Sequence, residues 1–201
     1  MLQERERRLL ELLKRAGVDS LKETRILEIG CGHGSWLRDL IKWGAQPQNL
    51  TGIELLSDRA DEARRLCPPG VQVVCGSAAQ LDFPAESFDL VLQSTVFTSI
   101  QEDGLKAQVA AEMMRVVRPN GLILWYDFRV NNPRNPDVTG VGKSEILKLF
   151  PGRKVDLFSI TLIPPLLRNL APWSWLGCHL LGKMPWLRTH YLGLIRNNPI
   201  I

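Results

Sequence analysis

The run Ile26-Leu-Glu-Ile-Gly-Cys-Gly-His-Gly34 constrains this chain more than any other segment. Four residues suited to a buried strand break off into three closely spaced glycines, and Ser35 to Trp43 then has the composition of a helix. A strand, glycine loop, helix unit leaves backbone N–H groups bare at a helix start and lets a ligand approach the main chain closely. In open α/β sheets such a loop sits at the carboxyl end of a parallel strand, where ligands bind.

The rest of the chain keeps the alternation that such a unit requires. Leucines at 2, 9, 10, 12 and 13 describe an amphipathic helix ending near Gly17. Strands are predicted at Ile26–Ile29, Asn49–Leu55, Val71–Val74, Phe88–Gln93 and Leu122–Phe128. Between them lie helices that bury Leu37, Leu40 and Ile41, that start at Ser57 as N-cap and run to Leu66, and that span Glu102–Val117 with an apolar face of Ala107, Ala110, Ala111, Met114 and Val117. Arg118-Pro-Asn-Gly121 is expected to stop the last of these helices. Strands alternating with helices of this length imply βαβ units, hence an α/β, doubly wound, mostly parallel sheet. After Arg129 the rhythm changes. Asn131 to Pro136 reads as a loop, Lys143–Leu149 as a short helix, and Lys154–Leu162 and Arg188–Arg196 as a closing hairpin with an apolar insertion between its strands.

At 201 residues the chain suits a single domain over 1–201, with residues 1–17 as an N-terminal helix and 131–186 as an acceptor-site loop and apolar lid. A formal charge of +4 is small and dispersed, so no nucleic-acid partner is expected. The basic residues of the first helix alternate with Glu4, Glu6 and Glu11 and read as a solvated face. Cys31, Cys67, Cys75 and Cys178 form no CxxC pair, so neither structural zinc nor a disulfide framework is expected and no metal site is assigned. With the strongly charged Met1–Lys14 start, this points to a reduced, cytoplasmic compartment.

Gly30-Cys-Gly-His-Gly34 has GxGxG spacing rather than the GxGxxG of dinucleotide folds. Glu54, at the end of the second predicted strand, is where a carboxylate can accept both hydroxyls of a ribose. These two motifs, with Cys75-Gly-Ser-Ala-Ala-Gln-Leu-Asp-Phe-Pro84, Ser87-Phe-Asp-Leu-Val91 and Met114-Arg-Val-Val-Arg-Pro-Asn-Gly121, resemble in order the class I S-adenosylmethionine-dependent methyltransferases, and in particular the small type 11 branch. The resemblance covers about two thirds of the chain and implies a Rossmann-like seven-stranded sheet with an antiparallel last strand. It implies S-adenosyl-L-methionine as cofactor. Glu28 would support the glycine loop near the methionine amino group, Gly30, Cys31 and Gly32 would pass along the amino-acid end, and Glu54 would hold the ribose. Leu55, Ser77 and Ala78 would surround the adenine, and Gln93 and Ser94 would line the cleft near the methyl. The family usually carries aspartate where this chain has Ser77, a weaker acceptor for the adenine amino group.

The implied reaction needs an acceptor aligned with an already activated methyl and, for a hydroxyl acceptor, a base. The fifth strand and the loop after it supply Tyr126, Asp127, Arg129, Asn131 and Asn132 as acceptor-site candidates, with Asp127 as base or orienting group and a structural Asp127–Arg129 pair as the competing account. Strand alternation allows only one of Tyr126 and Asp127 to enter a pocket. His33 in the loop and His190 on the last strand are further catalytic candidates, each with a positioning or core role as the alternative. The segment 164–186, rich in Leu and Trp, admits four readings: roof over an apolar acceptor, core, homodimer seal, or peripheral membrane contact. The expected function is methyl transfer to a small-molecule acceptor, a hydroxyl of a secondary metabolite, lipid, quinone or sugar. The rivals are a noncatalytic partner protein on the same fold and a nucleotide-dependent oxidoreductase.

Overall fold

A computed structural model describes residues 2–131, 135, 137–162 and 187–199. Five α-helices and seven strands alternate through these residues: α1 (Leu2–Arg15), β1 (Ile26–Ile29), α2 (Ser35–Lys42), β2 (Leu50–Glu54), α3 (Ser57–Leu66), β3 (Gln72–Cys75), β4 (Phe88–Ser94), α4 (Asp103–Val116), β5 (Val117–Phe128), α5 (Lys143–Leu149), β6 (Arg153–Leu162) and β7 (Arg188–Pro199). The seven strands form one sheet in the order β3-β2-β1-β4-β5-β7-β6. β1 to β5 pair in parallel, while β7 runs antiparallel to both β5 and β6. This is the expected Rossmann-like, doubly wound sheet with an antiparallel last strand.

Why these residues make these strands follows from where they lie. β1 and β2 are buried along their whole length; β1 is apolar but for Glu28, and β2 buries Thr51 and Glu54 beside Leu50 and Ile53 rather than alternating inside and outside. One face of the sheet is covered by α1, α2 and α3 through Leu9, Leu13, Trp36, Leu37, Leu40, Ala60 and Ala63. The other is covered by α4 and α5 through Val109, Ala110, Met113, Val116 and Ile146. Burying an aliphatic side chain of this size contributes roughly 1.5–3 kcal/mol, so the two layers jointly hold the sheet in place beneath its loops. α1 ends at Arg15, and Gly17 follows at φ +90° while the Val18 N–H donates back to the Leu13 carbonyl. That left-handed closure satisfies carbonyls a helix end otherwise leaves bare.

Several expectations need correction. The apolar face of α4 is Val109, Ala110, Met113 and Val116, one position behind the anticipated stripe; Lys106 joins it, buried by its ion pair to Glu145 at 2.7 Å. Ser57 is the first helical residue of α3 and makes no side-chain cap; Leu56 precedes the helix, and its N–H is taken by Glu54 Oε1 at 3.1 Å. The Arg118–Gly121 turn is absorbed into β5, which starts at Val117, with an irregular register against β4 and Asn120 at φ +65°. The β6–β7 hairpin is present, but the whole 164–186 segment lies outside the described residues, and so do Cys178, His179 and Asn132. No helix among the described residues is long and apolar enough to cross a membrane.

Candidate active site

β1 has β2 on one side and β4 on the other, so the connections leave its carboxyl end in opposite directions. A crevice opens at such a switch point. Here it is a cleft of about 760 Å³, whose floor is the glycine loop and whose sides are the ends of β2 and β4. The volume falls in the usual range for small-molecule sites, about 300–1,000 Å³.

The loop owes its shape to three glycines in the left-handed region, Gly30 at φ +63°, Gly32 at +52° and Gly34 at +71°. A side chain at Gly30 would also lie 2.6 Å from Val96 Cγ2, across the cleft floor. The loop is tied to the second motif twice. The Cys31 N–H donates to the Ile53 carbonyl at 3.0 Å, and the Gly32 N–H donates to Glu54 Oε2 at 2.8 Å. Glu54 is buried, with one N–H on each carboxylate oxygen. A carboxylate offers about four lone-pair sites, so Glu54 retains acceptor capacity toward a ligand.

Glu28 lies at the cleft's base, 1% exposed, with Oε2 meeting no hydrogen-bond partner. Burial pushes its carboxyl well above the ordinary range; an N–H from Leu37 and the charge of Arg38 oppose this, and the charges of Glu54 and Asp39 add to it. An orphaned buried carboxyl beside a run of loop N–H groups fits the ammonium and carboxylate of an amino-acid moiety. Cys31 also lines the cleft, but burial pushes its thiol up, which removes it as a nucleophile. Leu55, Ser77, Ala78 and Ser94 line the cleft. Leu55 is 68% exposed, an apolar shelf open to a planar ring, and the Ser77 hydroxyl accepts the Ala79 N–H at 3.2 Å.

Other expected site residues are placed elsewhere. Gln93 is fully buried behind the cleft, its Oε1 accepting the Val96 N–H at 3.2 Å and its Nε2 without a partner. Asp127 is fully buried and is not among the residues that line the cleft. Its carboxylate accepts the Phe97 N–H at 3.0 Å, the Thr98 hydroxyl at 2.7 Å and the Phe128 N–H at 2.8 Å. Burial pushes this carboxyl up to about 6 in spite of those donors. Such a group straps the turn after β4 to the end of β5. Tyr126 points to the opposite face, its ring 6.0 Å from the cleft residue Trp36 and its hydroxyl 3.3 Å from Thr161 Oγ1. His190 is buried and stacked on Tyr126 at 4.9 Å; burial and then the nearby Arg5 charge lower it to about 4. His33 borders the cleft but pairs with Glu62 of α3 at 2.7 Å. Arg129 lies over the ring of Tyr191 at 5.2 Å, and Asn131 Oδ1 accepts the Gly140 N–H at 2.8 Å.

The cleft wall opposite Glu54 carries no motif in the sequence. Thr95, Val96, Ile100, Leu105 and Val109 form it, and Trp36 closes one end. Thr95 sits at φ +58°, held by its N–H to the Tyr126 carbonyl at 2.8 Å. Nothing local in the sequence marks a left-handed threonine. The apolar residues around it, Val96, Phe97 and Ile100, were the available signal.

Residues 26–121 match the family model described as a methyltransferase domain. The chain is 35% identical over 117 residues to phthiotriol/phenolphthiotriol dimycocerosates methyltransferase 1 of Mycobacterium ulcerans, covering 56% of this chain and 40% of the relative. It is 34% identical over 122 residues to 2-methyl-6-phytyl-1,4-hydroquinone methyltransferase of Synechocystis, 59% of this chain and 36% of the relative. It is 35% identical over 109 residues to fatty-acid O-methyltransferase of Mycolicibacterium smegmatis, 52% and 37%. The chain therefore spans about two fifths of the length of these curated relatives. Among solved structures, a putative sarcosine dimethylglycine methyltransferase from Galdieria sulphuraria superposes with a TM-score of 0.68 at 16% identity, covering 98% of this chain and 86% of that one. A SAM-dependent methyltransferase from Methanosarcina mazei gives 0.66 at 16% identity, with 87% and 92% covered. The sheet order and the glycine loop bound to the β2 carboxylate give this chain the fold of the class I, Rossmann-type methyltransferases, and residues 26–121, just under half of the chain, are similar to the methyltransferase-domain family.

Proposed function

We propose that this protein, in the small type 11 branch of its class, transfers the methyl group of S-adenosylmethionine to an oxygen of an apolar small molecule of the lipid or quinone kind. The observation that carries the reading is the two-sided cleft. One wall is polar and suits a nucleoside and an amino-acid group, through Gly32, Glu54 and Glu28; the other is apolar, through Trp36, Val96, Ile100 and Leu105. The three curated relatives are named for phthiotriol or phenolphthiotriol dimycocerosates, a phytyl-substituted hydroquinone and a fatty acid, and the phytyl and fatty-acid acceptors are apolar.

In this reading the cofactor supplies a methyl on a sulfonium, already activated for transfer. The protein's share is binding and alignment. Glu54 accepts both ribose hydroxyls with the lone pairs its two backbone donors leave open. Leu55 lies beneath the adenine, and Ser77 and Ala78 meet its edge. Glu28 takes the methionine ammonium, while Gly30, Cys31 and Gly32 present backbone along the same end. Ser94 and the Thr95 turn border the methyl, with Val96 and Trp36 excluding water from it. Asp127, as a positioning residue, holds that turn in place.

The test is calorimetry with S-adenosylmethionine and with NAD, followed by transfer of a tritiated methyl group into an apolar cell extract. Saturable binding of S-adenosylmethionine and organic-soluble label are expected; binding of NAD alone, or label confined to water-soluble products, rejects the proposal.

A further inference from the structure

α1 crosses the sheet from top to bottom. Its carboxyl end, Ala16 and Gly17, borders a small cavity with Asp89 and Gly121 at the amino ends of β4 and β5. Its first turns therefore lie at the carboxyl ends of the strands, beside the cleft. There Arg5 lays its guanidinium over the ring of Trp36, with Cζ 4.4 Å from the centroid, and over Tyr126 at 5.4 Å. Trp36 is also a wall of the cleft. Behind Tyr126 stands His190, kept neutral by its burial and by the Arg5 charge.

Arg5 has no acidic partner. Among the described residues no carboxylate lies within ion-pair distance of it, and its Nε is buried without a hydrogen bond. The remaining residues cannot supply one from a side chain, because Asn131 to Pro136 and the whole run from Leu157 to Ile201 contain neither Asp nor Glu. Aromatic faces attract a guanidinium by about 0.5–2 kcal/mol but do not neutralise it. Arg5 and Tyr126 are outside the cleft lining but stand against its wall residue Trp36; a cation fixed there with no side-chain counter-ion can receive an anion, and the planar fork of arginine fits a carboxylate best.

A second observation is independent of the first. The ionisable residues that line the cleft are Glu28, Cys31, His33, Arg38, Glu54 and Arg59. Glu54 is committed to the loop and His33 to Glu62, and Asp127 and His190 lie outside the lining. Among the described residues that line the cleft, only Glu28, assigned to the methionine ammonium, and His33 Nε2, whose partner nitrogen Nδ1 is paired with Glu62, could take a proton from an alcohol held here. A carboxylic acid needs no such base, since an ordinary carboxyl, at about 4–5, is ionised at neutral pH.

Building on the methyl-transfer reading, we propose that the acceptor is an apolar carboxylic acid, its carboxylate held by Arg5 on the Trp36–Tyr126 shelf, and that the product is its methyl ester. The carboxylate oxygen forms the new bond to the methyl carbon while the carbon–sulfur bond breaks. The bonding pair returns to sulfur, the sulfonium and carboxylate charges cancel, and no proton moves.

The experiment uses decanoate and 1-decanol as probes of equal chain length, titrated into protein saturated with S-adenosylhomocysteine, for the wild type, Arg5→Gln and Arg5→Lys. The expected result is decanoate binding at least about tenfold tighter than decanol. Arg5→Gln removes that preference, Arg5→Lys keeps part of it, S-adenosylhomocysteine affinity stays at the wild-type value, and the melting temperature falls by no more than a few degrees. Equal binding of the two probes, or a preference that survives Arg5→Gln, overturns the anchor. With methyl-labelled cofactor, methyl decanoate is the expected product, and labelling of decanol in preference to decanoate overturns the ester assignment. An Arg5-dependent preference for decanoate without methylation of any acceptor leaves the anchor standing and rejects the transfer reading instead.

Discussion

Glu54, the last residue of β2, accepts the Gly32 N–H of the β1 loop at 2.8 Å, so the two motifs that define the cleft are one bonded unit. Its other oxygen takes the Leu56 N–H at the start of α3. One carboxylate thus fixes the loop, a helix entry and, in the proposed complex, the ribose. Replacing Glu54 by Ala removes hydrogen bonds to a charged group worth about 1.5 kcal/mol each. We expect S-adenosylmethionine affinity to fall roughly a hundredfold, with Glu54→Gln losing roughly tenfold. Calorimetry decides, and wild-type affinity in Glu54→Ala rejects the ribose assignment.

Asp127 separates a positioning role from a catalytic one. Asparagine at 127 turns an N–H₂ toward donors that now meet an acceptor, so Asp127→Asn should cost about 1–3 kcal/mol of stability. A pH series gives the sharper signature. The folded carboxyl lies at about 6, above the ordinary value, so the folded state holds the proton more tightly than the unfolded one. That contribution is complete below the unfolded value and is lost as pH rises through about 6. The stability difference between wild type and Asp127→Asn should therefore change between pH 4 and 6. A flat difference with unchanged melting, joined to loss of turnover, would instead make Asp127 a base.

What could be read beforehand divides by the range of the interaction responsible. The bounds of α5 at Lys143–Leu149, and of β1 and β4 within a residue, are legible in the sequence because burial on one or two faces shapes its apolar pattern. The glycine loop and Glu54 were legible for the same local reason. Polar side chains were not. Asp127 is committed by Thr98, 29 residues earlier, and Lys106 is drawn inside by Glu145, 39 residues later. No period records such a partner. Arg5 looked like one more charge on a solvated helix face, and only the packing of α1 against the first turn of α2 brings it to Trp36.

Gly52 of β2 offers a test of how tightly the loop is packed. A Cβ there would lie 2.7 Å from Cys31 Sγ and 2.9 Å from both Cys31 Cβ and Leu37 Cδ1. Gly52→Ala should lower stability by about 1–3 kcal/mol through overpacking. Because Cys31 sits between two of the loop glycines, cofactor affinity should fall as well. Thermal melting and calorimetry on the same variant check both effects, and a stable variant with wild-type affinity would show that the loop yields freely.

Glu28 links binding to pH. In the free protein burial holds its carboxyl well above the usual range, against the Leu37 N–H and Arg38, and Glu54 and Asp39 reinforce the shift. Its raised value adds stability that is complete below the unfolded value and is lost as pH rises through the folded one. An ammonium placed against its unpartnered Oε2 would favour the charged form and lower that value. S-adenosylmethionine binding should then be accompanied by proton release at pH values below the raised folded value, and affinity should rise with pH over that range. Titrations in buffers of differing ionisation enthalpy measure the release directly. In Glu28→Gln the release should vanish and binding weaken, while the ligand-free variant should be more stable than wild type at alkaline pH, where wild-type Glu28 carries a buried charge. Undiminished proton release in Glu28→Gln would place the linkage elsewhere in the cleft.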